Sequence, residues 1–306
     1  MHTQEAAPPI EHAERTYQAF PGANYLLPSD AHERERYNIA FARRLNLQHS
    51  LLKQAFNNRI ILPPITIAAS DRILDSGTGS GSWLIDVLGA VPPTAKLYGL
   101  DIECRLFPSD DSRVTGRGHV EFCEGTVTNL PEDWDNMFAL VHQRLLMAAL
   151  KPSEWKQAIA EIFRVLVPGG WVQLGEADGV RGGAVTAKHV SLVQTLFQAK
   201  GLLLHCAAHI PDMLREAGFV NVTVETANIP LGKWAGPVGV DARNNFMGVF
   251  RGMKTPVLKA GGLGFVTTEG EWDTSLDSLE EEWDATPGAV LQFDIFYAMK
   301  PIPSVF

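Results

Sequence analysis

The sequence is poor in cysteine, has no excess of positive charge and contains no long apolar run. Its three cysteines, Cys104, Cys123 and Cys206, give neither a disulfide framework nor a metal-ligand spacing, so we predict reduced thiols and no metal. The net charge is −9 and the basic residues are dispersed, which argues against nucleic acid as a partner. No stretch approaches the roughly 18 apolar residues of a membrane span, and the polar first residues lack a signal-peptide core. We therefore expect a cytoplasmic protein that does not bind or span a membrane.

Hydrophobic residues make up 45% of the 306 residues, which is enough for a sizeable core. Short apolar strands are predicted at 72–75, 96–100, 119–123, 138–143, 170–175, 219–226 and 289–299. Helices are predicted at 83–89, 154–166, 185–199 and 209–217, with further helices near 241–253 and 273–284. Strands that alternate with helices indicate βαβ units and a parallel, doubly wound α/β sheet.

A glycine-rich loop follows the first strand in the segment 73–84 (ILDSGTGSGSWL). Gly77, Gly79 and Gly81 permit backbone torsions and a close ligand approach that a Cβ would prevent. The spacing is G-x-G-x-G, whereas a dinucleotide fingerprint would need a third glycine at Ser82, and no Gly-Lys-Ser/Thr follows to make a P-loop. Asp75, just before the loop, suits a ligand ammonium group better than a pyrophosphate.

Asp101 ends the next strand and provides the second part of the pattern. A carboxylate at this position can accept hydrogen bonds from both hydroxyls of a ribose. The loop by itself is also compatible with a tight structural turn. A glycine loop and an acid at neighbouring strand ends together favour a nucleoside-containing ligand.

These residues make the chain resemble the class I S-adenosylmethionine-dependent methyltransferases. The segments 165–171 (VLVPGGW) and 217–219 (AGF) are similar to that family's motifs around its fifth and sixth strands. The resemblance implies a Rossmann-like, seven-stranded sheet in the order 3-2-1-4-5-7-6 and S-adenosylmethionine as the cofactor. It implies a cofactor site that contains Tyr25, Arg36, Asp75, Ser76, Gly77, Thr78, Gly79, Gly81, Asp101, Ile102, Thr126, Val127 and Gln143. Thr126 stands where the family usually carries an acid. Its hydroxyl can still accept one hydrogen bond from the adenine amine, and the backbone or Glu124 are the alternatives.

A narrower resemblance covers about residues 25–230. The segments 25–30 (YLLPSD) and 141–146 (VHQRLL), with Arg36 and His49, are similar to fungal methyltransferases related to secondary-metabolism regulators and tailoring enzymes. This likeness implies an N-terminal helical cap over the cofactor. We divide the chain into an arm and cap at 1–60, an α/β core at 61–230, an insertion or lid at 231–288 and a final core strand at 289–306.

The expected reaction is methyl transfer to a small organic molecule, which needs alignment of the acceptor with the sulfonium methyl. Oxygen is the favoured acceptor atom, with nitrogen and carbon left open. His142 and His189 are the candidate bases, and each can alternatively be a histidine held by structural hydrogen bonds. Two other functions remain open, a cofactor-binding regulator and a methyltransferase-fold enzyme that catalyses a rearrangement. Both a monomer and a homodimer are compatible with the sequence.

Overall fold

A computed structural model of the chain describes residues 34–303, with side chains described from residue 43 onward. The strands are β1 Arg72–Ser76, β2 Lys96–Asp101, β3 Val120–Glu124, β4 Phe138–Arg144, β5 Leu166–Arg181, β6 Val220–Pro230 and β7 Val290–Met299. The helices are α1 Arg34–Ala55, α2 Ser82–Val87, α3 Ser112–Thr115, α4 Pro152–Val165, α5 Ala184–Lys200, α6 Ile210–Glu216, α7 Gly236–Gly252, α8 Lys254–Lys259 and α9 Glu269–Ala285. None of these described helices is long and apolar enough to cross a membrane.

The strands form one seven-stranded sheet in the order β3-β2-β1-β4-β5-β7-β6. β1 to β5 pair in parallel, and β7 runs antiparallel to both β5 and β6. The predicted fold class and strand order are therefore confirmed. Because parallel strands end at the same edge of a sheet, this order brings the residues that follow β1, β2 and β4 together.

β5 is longer than the sequence indicates. The apolar run predicts a strand that ends at residue 175, whereas the observed strand continues to Arg181. The extension is possible because β7 pairs with β5 as far as Val290, which supplies hydrogen-bond partners beyond the apolar run. The register shifts between Ala177 and Gly179, so one residue of β5 is left as a bulge.

Three hydrophobic clusters hold the layers together. On the sheet's two faces, one cluster includes Trp83 and Leu84 of α2, and the other includes Trp155 and Ile159 of α4. The third joins α1, α5 and the segment 231–288, and it contains the fully buried indole rings of Trp272 and Trp283. The two helices predicted in that segment correspond to α7 and α9, and α8 is an additional helix between them. The domain boundaries remain predictions.

Candidate functional site

A cavity of about 310 Å³ lies beyond the carboxyl ends of the parallel strands. One part, which we name the glycine-loop half, is lined by Gly77, Thr78, Gly79, Asp101, Ile102 and Glu103. The other part, which we name the apolar half, is lined mainly by side chains such as Leu145, Met147, Val193, Phe197, Phe246 and Phe250. The two halves form one continuous cavity.

Backbone hydrogen bonds fix the glycine loop against β2. The amides of Gly77 and Thr78 both donate to the carbonyl of Leu100, at 2.7 and 3.0 Å. Gly77 and Gly79 have φ values of 75° and 54°, in the left-handed region that favours glycine. At Gly77 and Gly79 the loop therefore presents backbone without a Cβ atom to the glycine-loop half of the cavity.

Asp101 is held on the wall beside this loop. Its Oδ2 accepts a hydrogen bond from the Gly79 amide at 2.7 Å, and its Oδ1 accepts one from the Glu103 amide at 2.9 Å. Burial raises the pKa of Asp101 to about 6, although both backbone hydrogen bonds act to lower it. Each oxygen keeps a lone pair for a ligand donor.

Helix α1 covers the glycine loop. Asn46 Oδ1 accepts hydrogen bonds from the hydroxyls of Ser82 and Ser80, at 2.6 and 3.2 Å. Leu45 packs so closely that a Cβ placed on Gly79 would lie 3.5 Å from its side chain. Arg44, Leu45 and Gln48 line the cavity. The predicted helical cap is therefore present above the glycine-loop half.

The apolar half is built by α5, α7 and the end of β5. His189 of α5 is 5% exposed, and its Nε2 has no hydrogen-bond partner among the described residues. The imidazole lies edge-on to Phe250 of α7, with 4.5 Å between the ring centroids. Burial lowers the pKa of His189 to about 4, so this ring is neutral near pH 7. It places a polar edge among apolar side chains.

Comparisons with known proteins show the family of the chain. A methyltransferase domain family matches residues 73–170. The N-methyltransferase sirN of Leptosphaeria maculans is 30% identical over 300 residues, which cover 92% of this chain and 96% of that protein. The chain belongs to the class I S-adenosylmethionine-dependent methyltransferases. The N-methyltransferase verN of Clonostachys rogersoniana is 28% identical over 268 residues, covering 84% and 89% of the two chains. Among solved structures, the YcgJ protein of Bacillus subtilis is similar with a TM-score of 0.49 and 16% identity, covering 84% of this chain and all of that one (100%).

The cofactor of the methyltransferase is therefore S-adenosylmethionine, and the glycine-loop half fits it. Gly77 and Gly79 bring bare backbone to the cavity wall, and the Asp101 oxygens can accept from ribose hydroxyls. Thr78 and Ile102, two more of the predicted cofactor residues, also line this half.

Asp75 and His142 lie behind the loop rather than on the cavity wall. Asp75 Oδ2 accepts from the Thr78 hydroxyl at 2.6 Å, and Asp75 Oδ1 lies 2.7 Å from His142 Nδ1. The His142 ring stacks on the indole of Trp83 at 3.9 Å, and it is 3% exposed. Burial lowers the pKa of His142 despite the neighbouring carboxylate. The structure thus places His142, a candidate base in the sequence analysis, as a support for Asp75 and the loop, away from the cavity wall.

Several other predicted residues also do not line the cavity. Ser76 and Gln143 are fully buried and face each other, with the Ser76 hydroxyl donating to Gln143 Oε1 at 3.2 Å. Val127 packs in the cluster around α4, and Thr126 shares a hydrogen bond with the hydroxyl of Thr128 at 2.9 Å. Gly81 adopts the left-handed conformation just before α2. Tyr25 and the side chain of Arg36 lie outside the described part of the chain.

Other cavity residues were not assigned by sequence reasoning. Arg44 and Gln48 come from the covering helix, and Asp178 from the β5 bulge. Of these, only Asp178 could have been found from the sequence, because an acid that follows a predicted central strand lies at the sheet edge where ligands bind. In residues 43–303 no three His, Cys, Asp or Glu side chains are grouped so as to hold a metal.

The loop after β4 forms the floor between the two halves, and a buried acid holds it. Leu145 has a φ of 59°, which is unusual for a residue with a branched side chain. The amide of Leu146 donates to Glu176 Oε1 at 2.7 Å, and the amide of Met147 donates to Oε2 at 3.4 Å. Glu176 is fully buried, and burial raises its pKa to about 8. This side chain therefore positions a wall of the cavity.

Proposed function

We propose that the methyltransferase transfers a methyl group to a nitrogen atom of a small, largely apolar acceptor. The observation that carries the proposal is the single cavity whose glycine-loop half suits S-adenosylmethionine and whose apolar half suits a hydrophobic molecule. Oxygen was the atom favoured by the sequence, but no finding supports it. The relatives named as N-methyltransferases support nitrogen, and the likeness to sirN extends well beyond residues 73–170. A place in fungal secondary metabolism belongs to the same proposal.

Bound S-adenosylmethionine supplies an electrophilic methyl carbon on its sulfonium. The protein's contribution is positioning, which can account for much of the rate enhancement in such transfers. Asp101 and the glycine loop hold the cofactor's nucleoside, while the apolar wall excludes water and orients the acceptor. Leu145 and Leu146, on the strained loop, lie where the two halves meet and would set the approach.

Of the two histidines considered as bases, we assign the acceptor contact to His189. Its support is a cavity-lining position and an Nε2 that is buried without a partner among the described residues. A neutral imidazole can accept the hydrogen of an acceptor N–H group. Because its pKa is only about 4, His189 takes up a proton only from a strongly acidic species. This property suits a weakly basic nitrogen that becomes acidic as it is methylated.

Gly179 offers a steric test of the acceptor site. It lines the cavity, and a Cβ added to it would meet no atom within 4 Å. Gly179→Leu should therefore fill part of the cavity without straining the backbone. Gly89→Leu, at an exposed position outside the cavity, is the matched control.

The test combines cofactor binding with methyl transfer. Calorimetry would measure S-adenosylhomocysteine binding, and labelled S-adenosylmethionine would report transfer to a panel of apolar amines, amides and phenols, with mass spectrometry locating the methyl. We expect methylated nitrogen products from the wild type and from Gly89→Leu. Gly179→Leu should bind S-adenosylhomocysteine normally yet lose at least about tenfold in transfer, because the added side chain occupies the apolar half. Methyl groups on oxygen alone would overturn the assignment to nitrogen. Cofactor binding without any transfer would favour the regulatory or rearrangement alternatives.

A further inference from the structure

The bulge in β5 carries an acidic residue that lines the cavity. Ala177 pairs with Phe293 of β7, and Gly179 pairs with the preceding residue, Gln292, so Asp178 is the extra residue between them. A bulge interrupts the alternation of a strand and redirects a side chain, and such bulges are common beside active sites. Ala177, Asp178 and Gly179 consequently all line the cavity.

The side chain of Gln292 orients the Asp178 carboxylate. Gln292 Nε2 donates to Asp178 Oδ2 at 2.9 Å. Gln292 is itself fixed, because its Oε1 accepts a hydrogen bond from Arg181 Nη1 at 3.0 Å. Asp178 Oδ1 makes no hydrogen bond within the described part of the chain, and no Lys or Arg there forms an ion pair with Asp178. The carboxylate is therefore oriented but keeps an available oxygen.

The surroundings of Asp178 define the ligand that would complement it. It is partly buried, and the side chains around the apolar half include Phe197, Val193 and Leu291. His189 also lines this half, and its lowered pKa keeps it uncharged near pH 7. A carboxylate in such a setting lacks a charge partner, and a desolvated anion is stabilised most by a cation that also donates a hydrogen bond.

We infer that Asp178 recognises a protonated amine on the acceptor. The inference rests on the proposed function, because it takes the apolar half as the acceptor site. It narrows the substrate class to molecules with an apolar, ring-sized body and a basic nitrogen. The ammonium donates to Asp178 Oδ1 while the body packs against the aromatic wall. Recognition by Asp178 selects the acceptor, and this amine is distinct from the nitrogen that contacts His189.

Three indoles of similar size make suitable probes. Tryptamine carries an ammonium group, tryptophol replaces it with a hydroxyl, and 3-ethylindole has neither. Calorimetric titration into the protein saturated with S-adenosylhomocysteine would measure binding without any turnover. We expect the wild type to bind tryptamine at least about tenfold more tightly than 3-ethylindole, with tryptophol between them. Equal binding of tryptamine and 3-ethylindole would overturn the inference.

Variants locate the effect. Asp178→Asn should weaken tryptamine binding at least about tenfold and leave 3-ethylindole within about twofold, since only the charge-assisted bond is lost. Asp241→Asn removes the same charge from an exposed position of α7 and should change neither value. Gln292→Leu leaves the carboxylate but removes its support, and it should give a smaller, selective loss for tryptamine. Unchanged tryptamine binding in both Asp178→Asn and Gln292→Leu would contradict the assignment.

The same titrations separate this inference from the proposed function. If tryptamine binding depends on Asp178 but no nitrogen acceptor is ever methylated, the recognition site stands and the methyl transfer fails. If nitrogen acceptors are methylated but tryptamine binding is the same in the wild type and in Asp178→Asn, the proposed reaction stands and the proposed amine recognition fails.

Discussion

Helix α5, which carries His189, begins on a carboxylate that comes from α9. Glu282 Oε1 accepts from the amide of Val185 at 2.8 Å. Its Oε2 accepts from the amides of Gly183 and Thr186, at 3.0 and 2.8 Å, and from the Thr186 hydroxyl at 2.5 Å. Gly183, the N-cap residue, makes no side-chain cap of its own. Glu282 therefore accepts hydrogen bonds from the free amides of the first turn of α5. It also places a negative charge at the N-terminus of α5, where the helix dipole is positive.

Glu282→Ala should destabilise the protein by about 3 kcal/mol. A hydrogen bond to a charged group contributes about 1.5–3 kcal/mol, but the four bonds share one acceptor group and are not additive. Water can also reach part of the vacated site. For a chain of this length the loss corresponds to roughly 6 °C in Tm, at about 2 °C per kcal/mol. Urea unfolding would give the free energy, with Glu281→Ala, an exposed neighbour on α9, as the control expected within about 0.5 kcal/mol of wild type.

The effect of Glu282→Ala should also depend on pH. Burial tends to raise the pKa of Glu282, but the hydrogen bonds from Thr186 and its neighbours win and lower it. A lowered folded-state pKa means that the contribution is complete above the ordinary glutamate pKa and is lost as the pH falls through the folded value. The difference between wild type and Glu282→Ala should therefore shrink in acid. A Glu282→Ala protein as stable as Glu281→Ala at pH 7 would refute the capping argument.

Three further predictions concern the core of the site. Asp101→Ala should abolish calorimetric binding of S-adenosylhomocysteine, because it removes the wall acceptor of the glycine-loop half, and unchanged affinity would contradict its role. In the wild type the pKa of Glu176 is about 8 in the folded state and lower in the unfolded state, so the free energy of unfolding falls by up to about 4 kcal/mol as the pH rises from about 4.5 to 8. Glu176→Gln removes the titrating group and should flatten this pH dependence. A similar slope in both proteins, measured by urea unfolding, would count against the buried acid. Gly99→Ala should cost about 1–3 kcal/mol because its Cβ would lie 2.6 Å from Phe122, whereas Gly89→Ala should be nearly neutral, and equal melting temperatures would disprove the clash.

The cofactor side of the fold could be predicted because its signals are local in sequence. Gly77, Gly79 and Asp101 each follow an apolar strand, and the order of strands decides that they meet. The register Asp75–Gly99 and Ser76–Leu100 then brings the loop within hydrogen-bonding distance of the end of β2. A periodic pattern and a turn motif thus suffice to place backbone groups.

Side-chain direction was harder to predict, and His142 shows why. Residues at the end of a strand point to alternate faces, so His142 and Gln143 cannot both reach the same cavity. The register pairs His142 with Asp75, and both turn towards Trp83 and α2. The partner that decides the direction lies 67 residues away, and no single-sequence pattern records the pair.

Asp178 shows a second limit. A regular antiparallel ladder continued from the pair Ala177–Phe293 would pair Asp178 with Gln292, whereas in the structure Gly179 takes that place and Asp178 is left as the extra residue. The bulge exists because of pairing with β7, more than a hundred residues further along the chain. Sequence periodicity can locate such a strand but not a break in its register.

The two halves of the cavity are built from different elements of the fold. The glycine-loop half is built on the ends of β1 and β2, while the apolar half depends on α5, α7 and the bulge paired with β7. Glu282 links α9 to the start of α5, so it acts on the wall of the apolar half, whereas α7 reaches the covering helix α1 through Asn245, whose side-chain amide donates to the Arg44 carbonyl. Changes at Glu282 should therefore affect the apolar half of the cavity more than the glycine-loop half. The same argument explains why a family defined by strand-end motifs can share a cofactor and differ in acceptors.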